Sequence, residues 1–168
     1  MAGTLSGGEA LEGLNNAAVL NSNFIIILND NEMSIPENEG GLYKNLELLR
    51  NTNGNAENNI FKAIGYDYYY VEEGNNVEKL IETFKKVKDT NKPTVVHIHT
   101  LKGKGFEPAV NNKEKYHWIM PNFLDETQAN SCVNETYEEI TKKFILDKKE
   151  NNEPISVITA ATPGVFGF

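Results

Sequence analysis

The sequence predicts an α/β fold built on a partial doubly wound parallel sheet, and three observations support this prediction. Residues 24–28 form an apolar run that is rich in β-branched residues and too short for a stable helix, which predicts a strand buried on both faces. Residues 76–89 show one apolar stripe at helical spacing, opposite a lysine-rich side. A short link then leads to a second predicted strand at residues 94–100. This repeated order of helix and strand is typical of parallel sheets.

The first helix is predicted from residues 6–20, where small and apolar side chains recur at helical spacing. Ser6 is the expected N-cap, with Glu9 completing a capping box. The connection around residues 51–59 is crowded with Asn and Gly and is predicted to be an exposed turn. The other predicted elements are helices at 42–50, 59–64 and 135–149, strands at 66–72 and 154–159, a loop at 101–110 and an extended linker at 111–134.

Composition excludes several classes of function. The chain has 168 residues and a net charge of −8, which argues against a broad nucleic-acid or anionic membrane surface. The single cysteine, Cys132, excludes an internal disulfide, fits a reducing cytoplasm, and has no basic neighbour in sequence that would activate it. No apolar run approaches the length of a membrane span, and neither a Gly-x-Ser-x-Gly nor a Walker motif is present.

Polar residues follow the predicted strand at 24–28 directly. Asn29, Asp30 and Asn31 offer carbonyl and carboxylate oxygens where parallel strands end, and ligands of open α/β sheets bind there. Such oxygens suit a hard cation such as magnesium, although a polar turn without a ligand is the alternative. Upstream, the glycine-bearing loop at residues 3–8 opens a helix whose free N–H groups suit a phosphate.

The N-terminal residues resemble a known cofactor-binding motif. The stretch from Gly3 to Ile35 resembles the cofactor motif of thiamine-diphosphate enzymes, which runs from Gly-Asp-Gly to an Asn. Within that superfamily, GGEA at residues 7–10 and NDNEMSI at residues 29–35 are similar to the 1-deoxy-D-xylulose-5-phosphate synthase family. One position departs from the motif. The Gly-Asp-Gly aligns with residues 1–3, so Ala2 stands where the family has its metal-binding Asp, 29 residues before Asn31.

The resemblance implies a set of site residues. Asn31 and the backbone carbonyl of Met33 would bind magnesium, and the N–H groups of Gly3 and Thr4 would approach the diphosphate. A flexible N-terminal tail is the alternative for Gly3 and Thr4. The string His-x-x-Thr-x-Lys-Gly-x-Gly at residues 97–105 resembles the family's second signature, in which the lysine, here Lys102, contacts the cofactor.

The chain contains three histidines, at positions 97, 99 and 117. His117 lies where the family has a histidine near the substrate, and a surface loop histidine is the alternative. His97 and His99 lie two residues apart on one predicted strand and therefore point to one face. A metal pair is conceivable, but packed or hydrogen-bonded histidines are favoured, because no third ligand lies at local spacing.

The resemblance also implies a domain organisation and a function. Residues 1–110 would be part of a diphosphate-binding domain, residues 111–153 a linker with one helix, and residues 154–168 the start of a pyrimidine-binding domain. The expected function is that of a fragment of a synthase that joins pyruvate to glyceraldehyde 3-phosphate with thiamine diphosphate and magnesium, and that is inactive alone. One subunit of a split enzyme and a non-catalytic α/β interaction module are the alternatives.

Composition and the family resemblance together also predict the partners and the location of the chain. The substrates are small molecules, and no nucleic-acid or membrane partner is expected. The chain is expected in the cytoplasm, as a homo-oligomer or in association with a missing segment, because the strand at 24–28 should have neighbours on both edges.

Overall fold

The computed structural model describes residues 4–119 and 136–158. In these ranges three parallel strands form one sheet: β1 (Ile25–Asp30), β2 (Asp67–Val71) and β3 (Thr94–His99), in the order β1-β3-β2. Both neighbours pair with β3 in parallel. The predicted α/β class with a parallel sheet is therefore confirmed.

Helices connect and flank the strands. They are α1 (Gly8–Ala17), α2 (Gly41–Asn51), α3 (Ile60–Ala63), α4 (Val77–Val87), α5 (Glu107–Asn111) and α6 (Tyr137–Glu150). The start of α4 is set locally, because the side-chain oxygen of Asn76 accepts hydrogen bonds from the N–H groups of Glu78 and Lys79. None of the helices in the two described ranges is both long and apolar enough to cross a membrane.

The core lies on both faces of β3. Val95 and Val96 are consecutive and fully buried, and they belong to two different apolar clusters. Successive side chains of a strand point to opposite faces, so helices and loops must cover the central strand on both sides. This two-sided burial is what the doubly wound prediction requires.

The prediction that residues 24–28 are buried on both faces is wrong. In the described ranges β1 is an edge strand, and Ile27 is 55% exposed. The strand also begins and ends later than predicted, at Ile25 and Asp30, so that Asn29 and Asp30 belong to the strand itself. A continuous apolar run identified a strand correctly but could not show which strand is central, because β3, which pairs on both sides, contains Thr94, His97 and His99 and is the less apolar of the two in sequence.

Three smaller predictions are also corrected. The N-cap of α1 is Gly7, with no side-chain cap, and the Ser6 hydroxyl instead forms a hydrogen bond with the hydroxyl of Tyr43. The predicted loop at 101–110 contains the start of α5, which has Pro108 in its first turn, where proline is well tolerated. No strand forms at residues 154–158, because none of the described strands pairs with them; residue 159 lies outside the described ranges.

Candidate functional site

The carboxyl ends of β1 and β3 meet at one edge of the sheet, and polar side chains bridge them. Three side-chain hydrogen bonds join the two segments: Asn29 to Thr100 (2.6 Å), Asp30 to His97 (2.9 Å) and Glu32 to His99 (2.8 Å). The backbone adds a fourth link, from the N–H of Thr100 to the carbonyl of Asp30. These bonds hold the two sequence signatures side by side.

Lys102 reaches the loop that carries the first signature. Its ammonium donates to the carbonyl oxygens of Ser34 (2.8 Å) and Ile35 (3.4 Å). Burial lowers the pKa of Lys102, an effect opposed by Glu114. Lys102 thus contacts the segment that begins with Asn31, although the two residues are far apart in sequence.

Asn31 and Met33 form the turn at the end of β1. The side-chain oxygen of Asn31 accepts a hydrogen bond from the N–H of Met33 at 3.2 Å. Asn31 lines a cavity of about 390 Å³ together with His99, Thr100 and Lys104, among others. An amide oxygen has two lone pairs, so Asn31 keeps the capacity to bind a cation while it holds this turn.

Asp30 is the most buried charged side chain of this region, with 1% of its surface exposed. One carboxylate oxygen accepts the N–H of Glu32 at 2.9 Å, and the other contacts both Arg50 and His97. Burial alone would raise the pKa of Asp30, but the hydrogen bonds from His97 and Glu32 and the charge of Arg50 outweigh it and lower the pKa to about 2. The carboxylate is therefore ionised at neutral pH.

The ionised carboxylate fixes the tautomer of His97, which is fully buried. An acceptor-only carboxylate requires a donor, so the proton lies on Nε2 of His97. When the ring carries this one proton, Nδ1 accepts the hydroxyl proton of Tyr68, at 2.7 Å. Burial raises the pKa of Tyr68, which keeps this phenol protonated and able to donate.

The histidine pair therefore matches the favoured alternative of hydrogen-bonded histidines. Within the described residues, no three His, Cys, Asp or Glu side chains gather as a possible metal site. Sequence reasoning did not find the contact between Asp30, His97 and Arg50. The sequence did carry a signal for the contact between Asp30 and His97, because a buried polar side chain in a strand requires a hydrogen-bond partner. The approach of Arg50 depends on the packing of α2 and has no local signal.

The remaining predicted residues are exposed or lie outside the described ranges. Thr4 is exposed, and its carbonyl accepts the N–H of Gly7. His117 is exposed, and within the described residues no hydrogen bond links its ring to Asn31 or Lys102. Gly3 and Cys132 lie outside the described ranges. The structure thus places Asn31 and Met33 in one turn, and Lys102 in contact with Ser34 and Ile35, which directly follow that turn.

The chain thus has a parallel α/β fold, with oxygen-bearing side chains just beyond the carboxyl ends of its strands. Open α/β proteins as a class bind their ligands at this edge of the sheet. Comparison with known families places the chain more narrowly. The sequence profile described as 1-deoxy-D-xylulose-5-phosphate synthase matches residues 2–58 and 50–100. The chain belongs to this family.

Individual relatives agree with this assignment. The chain is 35% identical over 162 residues to the 1-deoxy-D-xylulose-5-phosphate synthase of Buchnera aphidicola subsp. Schizaphis graminum, covering 95% of this chain and 27% of the relative. It is 32% identical over 201 residues to that of Clostridium perfringens strain SM101, covering 99% of this chain and 32% of the relative. The synthase of Clostridium acetobutylicum is 32% identical over 194 residues, which cover 95% of this chain and 31% of the relative. The chain therefore spans less than a third of the length of these relatives.

Proposed function

We propose that this chain forms part of the cofactor-binding domain of a synthase that joins pyruvate to glyceraldehyde 3-phosphate with thiamine diphosphate and magnesium. Membership of the family supports the proposal. The observation that carries it is the contact of the Lys102 ammonium with the carbonyls of Ser34 and Ile35, which brings the second signature to the segment that begins with Asn31. Two motifs that would serve one ligand are thereby adjacent.

The chemistry of the corner fits one side of such a site. Magnesium takes oxygen ligands and is commonly held by a few protein groups together with phosphate oxygens. The side-chain oxygen of Asn31 and the carbonyl of Met33 would supply two of these ligands. The compact charge of Lys102 and the N–H groups of Gly3 and Thr4 would bind the diphosphate. Bound thiamine diphosphate would supply the carbanion stabilisation that the reaction needs.

His117 is proposed on the substrate side of the site. Because it is exposed and forms no ring contact with Asn31 or Lys102 within the described residues, the proposal requires His117 to approach only when the ligands bind. The remaining substrate contacts would come from parts of the enzyme that the relatives have and this chain does not match.

The chain alone is proposed to be inactive. Asn31 and Met33 offer only neutral oxygens, and Ala2 replaces the carboxylate of the family motif. Magnesium depends strongly on each of its few protein ligands, so the loss of a carboxylate weakens the site. We therefore propose that the chain binds cofactor only together with a second polypeptide that carries the Gly-Asp segment of the family motif, because a homo-oligomer of this chain would still lack that carboxylate. We also propose that the chain acts in the cytoplasm, which its single cysteine fits.

Isothermal titration calorimetry with magnesium and thiamine diphosphate tests this proposal. We expect no heat of binding with the chain alone, and saturable binding once a polypeptide carrying the family's Gly-Asp segment is added. Asn31→Ala should abolish that binding, whereas Asn16→Ala, which removes an exposed amide on α1, should not. In the chain itself, Ala2→Asp should strengthen magnesium binding. Absence of heat under all of these conditions would contradict the proposal and favour a non-catalytic interaction module.

A further inference from the structure

We propose that Asp30 is a positioning residue for the metal-binding corner, defined as residues 31–33. The identity of the ligand in this inference rests on the proposed function, whereas the role of Asp30 rests on the geometry of the structure. Asn29, Asp30 and Asn31 all carry an oxygen that could face a cation, and the structure divides their roles. Asn29 is bonded to Thr100, Asp30 is buried against the protein, and Asn31 lines the cavity.

The Asp30 carboxylate faces the protein interior rather than a ligand. It is 1% exposed, and its contacts come from three elements: His97 on β3, Arg50 on α2 and the N–H of Glu32 in its own turn. Both of its oxygens already accept hydrogen bonds from the protein. Asp30 therefore serves the site through the backbone that it holds, and not as a ligand.

The backbone that Asp30 holds is conformationally unfavourable. Glu32 has a φ of 67°, in the left-handed region that residues with a Cβ rarely adopt. The hydrogen bond from the N–H of Glu32 to Asp30 opposes relaxation of this residue. Asn31 lies between the anchored Asp30 and the left-handed Glu32, so the direction of its side chain depends on both.

The anchor itself is buried and hydrogen-bonded to the core. His97 is fully buried in the central strand, and its second ring nitrogen is held by the hydroxyl of Tyr68. Phe61 stacks on Tyr68, with ring centroids 5.8 Å apart. A chain of contacts therefore connects the core of the domain to the turn that carries Asn31.

Amide hydrogen exchange of the free chain tests the inference without any ligand. Asp30→Ala should lower the protection of the Glu32 amide, relative to that of Val96 in β3, by about tenfold or more, which is the scale of losing a hydrogen bond to a charged group. Val95→Ala, a matched core truncation away from the turn, should lower the protection of Val96, which exchanges through global opening, and should therefore not lower the ratio of Glu32 to Val96 protection. If Asp30→Ala fails to fold, the isosteric Asp30→Asn replaces it, with a smaller loss expected in the same ratio.

The outcomes separate this inference from the proposed function. An unchanged Glu32 to Val96 protection ratio in a folded Asp30 variant would overturn the positioning role, whatever the ligand. A reduced ratio, together with weaker binding of magnesium and thiamine diphosphate in the assembled protein, would support both proposals. A reduced ratio with no ligand binding by any form of the protein would support the positioning role and refute the proposed function.

Discussion

Tyr68 and Tyr70 place two phenols close to the buried His97 at the centre of the sheet. Tyr68 donates to His97, and the Tyr70 ring meets the His97 ring edge-on, with centroids 5.2 Å apart. Burial raises the pKa of Tyr70 to about 12, helped by the nearby charges of Glu72 and Asp30 and opposed by Arg50. Burial also raises the pKa of Tyr68. Both phenols are therefore protonated in the folded protein well beyond the pH at which a solvated tyrosine ionises.

This arrangement predicts a loss of stability at alkaline pH. The folded state holds the Tyr70 proton more tightly than the unfolded state, where the pKa is about 10. The stabilisation is therefore complete below about pH 10 and is lost as the pH rises through about 12, which corresponds to about 1–2 kcal/mol for Tyr70. Urea unfolding followed by circular dichroism across this range measures it.

Phenylalanine variants separate the Tyr70 contribution from other alkaline effects. Tyr70→Phe should flatten the decline in the free energy of unfolding, whereas Tyr69→Phe, on the more exposed face of the same strand, should leave it unchanged. Lysine titration is common to both variants. An identical decline in the two variants would contradict the assignment to Tyr70.

At the scale of elements, the β2–α4 connection is limited by its close approach to β3. Gly74 is buried, and its N–H donates to the carbonyl of His99 at 2.8 Å. A Cβ at this position would overlap the carbonyl oxygen of His99 and Cγ2 of Ile98. The glycine is required here by space, because the strand end and the connection are in direct contact.

Gly74→Ala should therefore destabilise the protein by about 1–3 kcal/mol through overpacking. Gly13→Ala is the matched control, since Gly13 lies within α1 and a Cβ there would meet nothing. That variant should stabilise by about 0.5–1 kcal/mol, because alanine loses less backbone entropy in a helix. Chemical denaturation measures the change in the free energy of unfolding for both variants. If Gly74→Ala leaves this free energy unchanged, the connection can move away from β3.

The elements differ in how far the sequence could predict them. Helix α4 was predictable because both its apolar stripe and its Asn76 cap are local features. The position of β1 at the edge was not, because residues 24–28 are more apolar than β3 and would have been assigned to the centre, whereas pairing alone decides the order of the strands. In the candidate site, Asn31 and Lys102 were predicted from motifs. The contact of Arg50 with Asp30 was not, since it arises when α2 docks beside the sheet.

At the scale of the whole molecule, one edge of the described sheet carries exposed apolar surface. Phe24 is 41% exposed and Ile27 is 55% exposed, beside or within the edge strand β1. An apolar edge strand with unpaired backbone groups is a site at which sheets associate. The net charge of −8 opposes non-specific association, so contact should concentrate on this apolar edge.

We therefore expect the isolated chain to elute as an oligomer or aggregate in size-exclusion chromatography with light scattering. Ile27→Lys should shift it towards the monomer, because a charged side chain on an edge strand disfavours the addition of another strand. Val19→Lys is the matched control. Val19 is 77% exposed but lies outside the sheet, so the same added charge there should leave the association unchanged. If both lysine variants dissociate the oligomer equally, net charge rather than the β1 edge controls assembly. If the wild-type chain elutes as a compact monomer, the β1 edge does not drive association at all.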